Sequence, residues 1–303
     1  MITSYQGSVM STFVLTCCST VDVSEEFLRA HAIPSIDFNY MLDGIWYKDD
    51  FGKSNTPRSM FAKMLAGAQA TTSQVNVGDY LDFWRPLLAD GNDVLHVTLS
   101  SGISGTYQSA CNAASILAQE FPHQKLYIVD SLCASAGYGL LVSKLAQMRD
   151  SGMSIDQTRD WAEAHKTEVQ SWFFSTDLRF FIKGGRISKT AGTVGSMLHI
   201  CPLMHIAPDG SLAVKEKIRT KKRAIKRVVS LMEETCQNGF DYTDEVFISH
   251  SDCLEDAQEV AKLIAQAFPK AQPAQIFNIG ATIGVHTGPG TVATFWWGTP
   301  RKD

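Results

Sequence analysis

The chain has 303 residues, a formal net charge of −4, 45% hydrophobic residues and 19% charged ones. This is the composition of a globular protein that can bury a substantial core, and the length favours two domains over one. The slightly acidic balance argues against a general nucleic-acid binder, and seven cysteines without C-x-x-C pairs argue against a disulfide scaffold or a zinc site and fit a reducing compartment.

The opening stretch to Ser11 has no basic n-region, and the apolar run Phe13–Leu15 is too short for a signal peptide. It reads as a disordered lead before a first strand at Thr12–Thr16. No stretch approaches the roughly 20 apolar residues of a membrane span, so a cytoplasmic protein without stable membrane insertion is expected. Ser24 caps a short helix to His31, Ile33–Tyr40 is extended, and Leu42-Asp43-Gly44 turns the chain into Ile45–Tyr47 as a hairpin. Thr56-Pro57 opens a helix to Leu65 with threonine as N-cap and proline at the first position. Ala70–Gln74 is extended, with three consecutive hydroxyls, and Gly78–Leu88 is an amphipathic helix.

Asp93–Ser100 reads as a buried strand and Tyr107–Glu120 as a helix. Between them lies Ser100-Ser101-Gly102-Ile103-Ser104-Gly105-Thr106. Unpaired amides at a helix start, the positive end of the helix dipole and the hydroxyls of Ser100, Ser101, Ser104 and Thr106 make this an expected anion site, or else an ordinary N-cap on Ser104 or Thr106. Leu126–Asp130 is a short apolar run suited to a buried parallel strand, followed by a helix to Arg149 and another over Ser154–Gln170. Strand and helix alternating from 93 to 149 predict a parallel α/β sheet.

The second half has a different texture. Trp172–Ser175 is a strand, Leu178–Ile182 a helical turn, and Lys183–Lys189 a flexible loop in which Arg186 offers a planar fork for carboxylate or phosphate. Met204–Ile206 and Ser211–Ile218 form a hairpin about Pro208-Asp209-Gly210, then Thr220–Gln237 and Leu254–Phe268 are helices alternating with strands at Glu245–Ser249 and Gln275–Ile279. Gly284–Gly290 reads as a glycine-rich loop presenting His286, and Val292–Trp297 as a last strand. Hairpins with helices on one side predict an α+β second domain.

Eight of the 27 basic residues fall between Val214 and Arg227, most simply a solvated face. His96 sits inside a strand, and His199, His205 and His250 lack ligand spacing, so no metal is expected. Gly102–Thr106 is not a G-x-S-x-G elbow, no P-loop is present, and the G-x-G-like run at 288 precedes a strand rather than a helix.

Six stretches, taken in order, are similar to the DegV family, fatty-acid-binding proteins that act as the FakB subunit of bacterial fatty acid kinase. They are Thr72-Ser73-Gln74, Ser100-Ser101-x-x-Ser104-Gly105-Thr106-Tyr107, Val129-Asp130-Ser131, Lys183-Gly184-Gly185-Arg186-Ile187, Glu216-Lys217-x-Arg219-Thr220 and Gly284-x-His286-x-Gly288-Pro289-Gly290. The resemblance spans nearly the whole chain. It implies a two-domain α/β fold, a parallel-rich N-terminal domain over 12–165 and an α+β domain over 166–300, with one long-chain fatty acid between them. Thr72 with Ser73, Ser101 or its neighbour Ser100, and His286 match the carboxylate contacts. Arg186 and Arg219, with Ser104 and Thr106, match positions facing the head group, a phosphorylated product or the partner. No cofactor beyond the bound fatty acid, no activity of its own and a separate ATP-using kinase subunit as partner are implied. The family's Thr-Asp-Ser after the first strand is Cys17-Cys18-Ser19 here, and its Ile-Lys-Pro is Ile200-Cys201-Pro202. The other reading is a self-sufficient hydrolase or acyltransferase with Ser101 or Ser104 as nucleophile and His286 as base, which requires an acid orienting the imidazole.

Overall fold

A computed structural model describes residues 13–188 and 200–302. The expected disordered lead, Lys189 and His199 lie outside them. The N-terminal half contributes two sheets. Strands β1 (Val14–Cys18), β2 (Ser35–Ile36), β6 (Val94–Thr98) and β7 (Leu126–Asp130) form a wholly parallel sheet in the order β2-β1-β6-β7. β6 is buried at all five positions, as expected of a parallel strand covered on both faces. Helix α4 (Thr106–Glu120) makes the crossover from β6 to β7, and α5 (Ala136–Asp150) follows β7.

β3 (Asn39–Leu42), β4 (Ile45–Lys48) and β5 (Ala70–Ser73) form a separate antiparallel sheet in the order β4-β3-β5. Its hairpin turns on Asp43 and Gly44, both at positive φ (50° and 81°), the geometry of a tight two-residue turn that matches strand twist. Helices α1 (Glu25–Ala30), α2 (Pro57–Leu65) and α3 (Val77–Ala89) accompany these strands, and Thr56 caps α2 as its sequence predicts.

From Val169 onward the chain builds one mixed sheet, β10-β9-β8-β13-β11-β12, from β8 (Val169–Ser175), β9 (Ile200–Ile206), β10 (Leu212–Arg219), β11 (Val246–His250), β12 (Gln275–Asn278) and β13 (Thr291–Trp297). The α-helices of this half among the described residues are α7 (Arg179–Lys183), α8 (Lys221–Thr235), α9 (Leu254–Ala267) and α10 (Ala281–Thr287). α8 buries Ala224, Ile225, Val228 and Met232 while Lys222, Arg223 and Lys226 are exposed; Lys221 pairs with Asp256, and Arg227 with Glu216 and Glu234. Its basic run is a solvated face with its own acidic partners.

Two expectations are corrected. The helix expected over Ser154–Gln170 is α6 (Ile155–His165), ending in a 3-10 turn at Lys166–Glu168, because Val169 and Gln170 already pair with Trp297 and Trp296 in the sheet. The loop expected at Gly284–Gly290 is largely the helix α10. Gly284 serves close packing there rather than flexibility: a Cβ on it would lie 2.9 Å from both Met60 Cε and Phe61 Cζ of α2.

Candidate functional site

In the parallel sheet the chain leaves β1 and β6 in opposite directions, so the switch point of the sheet lies between those two strands. The loop after β6 supplies Leu99, Ile103, Ser104 and Gly105 to the wall of a cavity of about 210 Å³. The opposite wall comes from the large sheet and its helices: Phe173 of β8, Phe181 of α7, Ile206 of β9, Leu212 of β10, Ala293 and Phe295 of β13, and Ile283 of α10. Most of this lining is aliphatic or aromatic. Polar side chains from Thr72, Gln74, Ser104, Arg186 and His286 share the cavity.

His286 stands in the last turn of α10, and its Nε2 lies 2.8 Å from Thr72 Oγ1 on β5. Burial, then the nearby Arg186 charge, lowers its pKa to about 4, so the imidazole is neutral at neutral pH. Its buried Nδ1 has no hydrogen-bond partner among the described residues and lies against Gly184, where a Cβ would come within 2.2 Å of it. A proton on Nδ1 would be a buried donor facing carbon, so the tautomer protonated on Nε2 is the cheaper one. That tautomer donates to Thr72 Oγ1 and leaves the Thr72 hydroxyl hydrogen free to donate onward.

Arg186 ties the site's two sides together. Its Nη1 donates to Gly184 O at 2.6 Å, and Nε and Nη2 donate to Ile103 O at 3.3 and 3.2 Å. Desolvation lowers its pKa, but the delocalised guanidinium remains cationic. Gln74 donates through Nε2 to Ser109 Oγ at 3.0 Å and places Oε1 against Gly105, the uncapped start of α4. A fixed cation, a neutral imidazole–threonine pair and a serine hydroxyl beside an apolar cavity suit a monoanion with a long apolar tail.

The structure brings together Thr72, His286, Arg186 and Ser104 from the residues that the sequence singles out. It moves the others elsewhere. Ser100 is fully buried, with Oγ donating to Gly210 O at 2.9 Å and accepting from Gly102 N, so it fastens the β9–β10 turn. Ser101 is exposed and gives its amide to Asp130 Oδ1. Thr106 is buried with Oγ1 2.9 Å from Tyr80 Oη. Arg219 is exposed at the end of β10, and Ser73 hydrogen-bonds Gln74 O; neither lines the cavity. Gln74 takes the place expected of Ser73. The alternation of an extended strand supplies the missing signal, since residues 72 and 74 share a face and 73 has the other.

The expectations of a serine hydrolase fare differently from those of a ligand site. A base that activates serine is oriented through its second ring nitrogen by an acid. Here that nitrogen meets Gly184 and, among the described residues, accepts or donates no hydrogen bond. Among the described residues there is also no group of side chains able to hold a metal, and no helix is long and apolar enough to cross a membrane.

A family model described as "Uncharacterised protein, DegV family COG1307" matches residues 14–298. The chain belongs to the DegV family. The DegV domain-containing protein CPE0026 of Clostridium perfringens is 33% identical over 298 residues, covering 97% of this chain and all of that protein. A DegV family protein from Thermus thermophilus, described by its fatty acid binding, superposes with a TM-score of 0.83 at 25% identity over 95% of this chain and 99% of its own. The Streptococcus pneumoniae Fatty Acid Kinase (Fak) B3 protein, loaded with linoleic acid, has a TM-score of 0.81 at 20% identity over 94% of this chain and 99% of its own, a likeness of fold. Fatty acid binding is thus a property of DegV proteins, and the mixed α/β architecture described above is the DegV fold.

Proposed function

We propose that this DegV protein binds a long-chain fatty acid, with the acyl chain in the apolar cavity and the carboxylate at Thr72, Ser104, His286 and Arg186. The observation that carries the reading is the junction of that cavity with the Thr72–His286 pair beside a fixed guanidinium. Each buried methylene contributes about 0.8 kcal/mol, so the chain supplies affinity and the polar groups supply orientation. The fatty acid is carried rather than transformed, and a separate ATP-dependent kinase subunit phosphorylates the presented carboxylate. The fold likeness to the Fak B3 protein supports that second step, for which Arg219 offers an exposed cation on the protein's surface.

Intact mass spectrometry tests the first step. Purified protein is weighed under native and denaturing conditions, and whatever dissociates is extracted. A stoichiometric fatty acid is the expected result; an empty protein that also refuses added oleate would overturn the reading. Incubating the loaded protein with a fatty acid kinase catalytic subunit and ATP tests the second step, with acyl phosphate as the expected product.

A further inference from the structure

Two buried carboxylates that do not themselves line the cavity act on the helix that carries His286. Asp49, 2% exposed and just beyond β4, accepts the Ala281 amide on Oδ1 and the Thr282 amide on Oδ2, both at 2.9 Å. Asp22, 3% exposed and just beyond β1, accepts the Gly280 amide on Oδ1 at 2.9 Å and the Ser135 hydroxyl on Oδ2. Ser135 itself sits at φ 55°, ψ −150°, a backbone region that non-glycine residues occupy only when their surroundings force it. Its Oγ is held between Asp22 and Ser249, 2.9 Å away. Three amides at the start of α10, those of Gly280, Ala281 and Thr282, are therefore taken by side chains from the other half of the chain.

The opposite end of α10 is held by the same part of the protein. His286 meets Thr72 of β5, and Val285 packs in a small cluster with Met60 and Phe61 of α2. The β3–β5 unit thus grips α10 at its start through Asp49, along its side through α2 and at its end through Thr72. A helix rises 1.5 Å per residue, so His286 lies about 7 Å from the anchored turn. A tilt of about 10° there carries the imidazole about 1 Å, enough to break a hydrogen bond of this length.

We propose that Asp49 is a positioning residue for carboxylate recognition, setting the tilt and rotation of α10 so that His286 meets Thr72 at the head of the cavity. The proposal rests on the fatty-acid reading above. Asp49 fits the role better than Asp22, whose carboxylate also belongs to the Ser135–Ser249 network of the core.

The test compares oleic acid with methyl oleate on wild type, Asp49→Ala and Asp49→Asn. Wild type is expected to prefer the acid at least tenfold, and failure to do so counts against the fatty-acid reading itself. In Asp49→Ala the acid should weaken about tenfold while the ester stays within twofold, and Asp49→Asn, which keeps one acceptor, should recover part of the preference. Equal weakening of both ligands, or an unchanged preference, would overturn the proposal. Nitrogen-15 NMR of the ligand-free proteins gives a second readout independent of binding: His286 should be the Nε2-protonated tautomer in wild type and a mixture in Asp49→Ala. An unchanged tautomer would also sink the idea.

Discussion

The loop that enters α4 and the helix α10 both border the cavity, and they use their polar groups in opposite ways. The α4 loop is dense in hydroxyls, but most of them serve the fold. Ser100 holds the β9–β10 turn, Thr106 joins Tyr80, and Tyr80 in turn lies 3.4 Å from Cys18 Sγ, leaving Ser104 to face the cavity. α10 carries three polar side chains, Thr282, His286 and Thr287, and the first amides of its backbone, at Gly280, Ala281 and Thr282, are met from outside by Asp22 and Asp49. Its one imidazole is thereby left to pair with Thr72. Hydrogen-bonding capacity that the fold has not already used locates a site better than the density of polar residues does.

A glycine stands where each region touches another element, Gly102 within the α4 loop and Gly184, at the end of α7, against His286 of α10, and replacing it separates their roles. A Cβ on Gly102 would lie 2.5 Å from Gly210 C and 2.6 Å from Ser211 N, backbone atoms that cannot move without shifting the β9–β10 turn. Gly102→Ala should cost about 3 kcal/mol of stability, read from urea unfolding, while leaving the preference for acid over ester in whatever folds. A Cβ on Gly184 instead meets the His286 ring. Gly184→Ala should cost about 1 kcal/mol and abolish the preference. Interchanged outcomes would mean that the α4 loop, not α10, reads the carboxylate.

A somewhat smaller effect follows from protonation. Burial lowers the pKa of His286 to about 4, against 6.5 for a free histidine. Between those values the unfolded chain binds a proton that the folded protein does not, so stability from this group is present above pH 6.5 and is lost as pH falls toward 4. Between pH 7 and pH 5 the loss from His286 should be about 2 kcal/mol. His96, lowered to about 3 by burial between Thr16 and Cys18, adds a loss of the same sign. Asp22 and Asp49, both raised chiefly by burial, act with the opposite sign. The His286 contribution is therefore measured as a difference: unfolding free energies of wild type and His286→Asn should converge as pH falls from 7 to 5. Parallel curves would show that the imidazole is not held neutral.

Much of the fold can be read from the chain because its signals are local. The Asp43-Gly44 hairpin, the Thr56-Pro57 helix start, the buried strand at Val94 and the Pro208–Gly210 turn each carry their own chemistry, whereas the strand at Leu126, expected to be buried, lies at the sheet edge with its first three residues half-buried. The parts that escape reading are set by distant partners. Ser100 looks like an anion ligand until the β9–β10 turn, 110 residues later in sequence, takes its hydroxyl. Gly284 and Gly288 suggest a loop until α2 is seen against Gly284, and nothing near Asp49 announces that it caps a helix 232 residues away. Gln74 is the exception, since strand alternation alone pairs it with Thr72.

The smallest predicted effects bear on the hydroxyls of the α4 loop. Ser100→Ala removes the donor to Gly210 O and the acceptor for Gly102 N in a buried contact, which should cost 1–2 kcal/mol by urea unfolding and leave the acid-to-ester preference intact. Ser101→Ala changes an exposed side chain whose amide, not hydroxyl, makes the contact with Asp130. It should shift stability by less than about 0.5 kcal/mol and oleate affinity by less than twofold. Ser104→Ala, in the cavity wall between them and α4, should instead weaken oleate severalfold with stability nearly unchanged. If Ser101→Ala weakens oleate tenfold while Ser104→Ala does not, the carboxylate lies on the outer side of this loop, and the α4 region rather than α10 holds the head group.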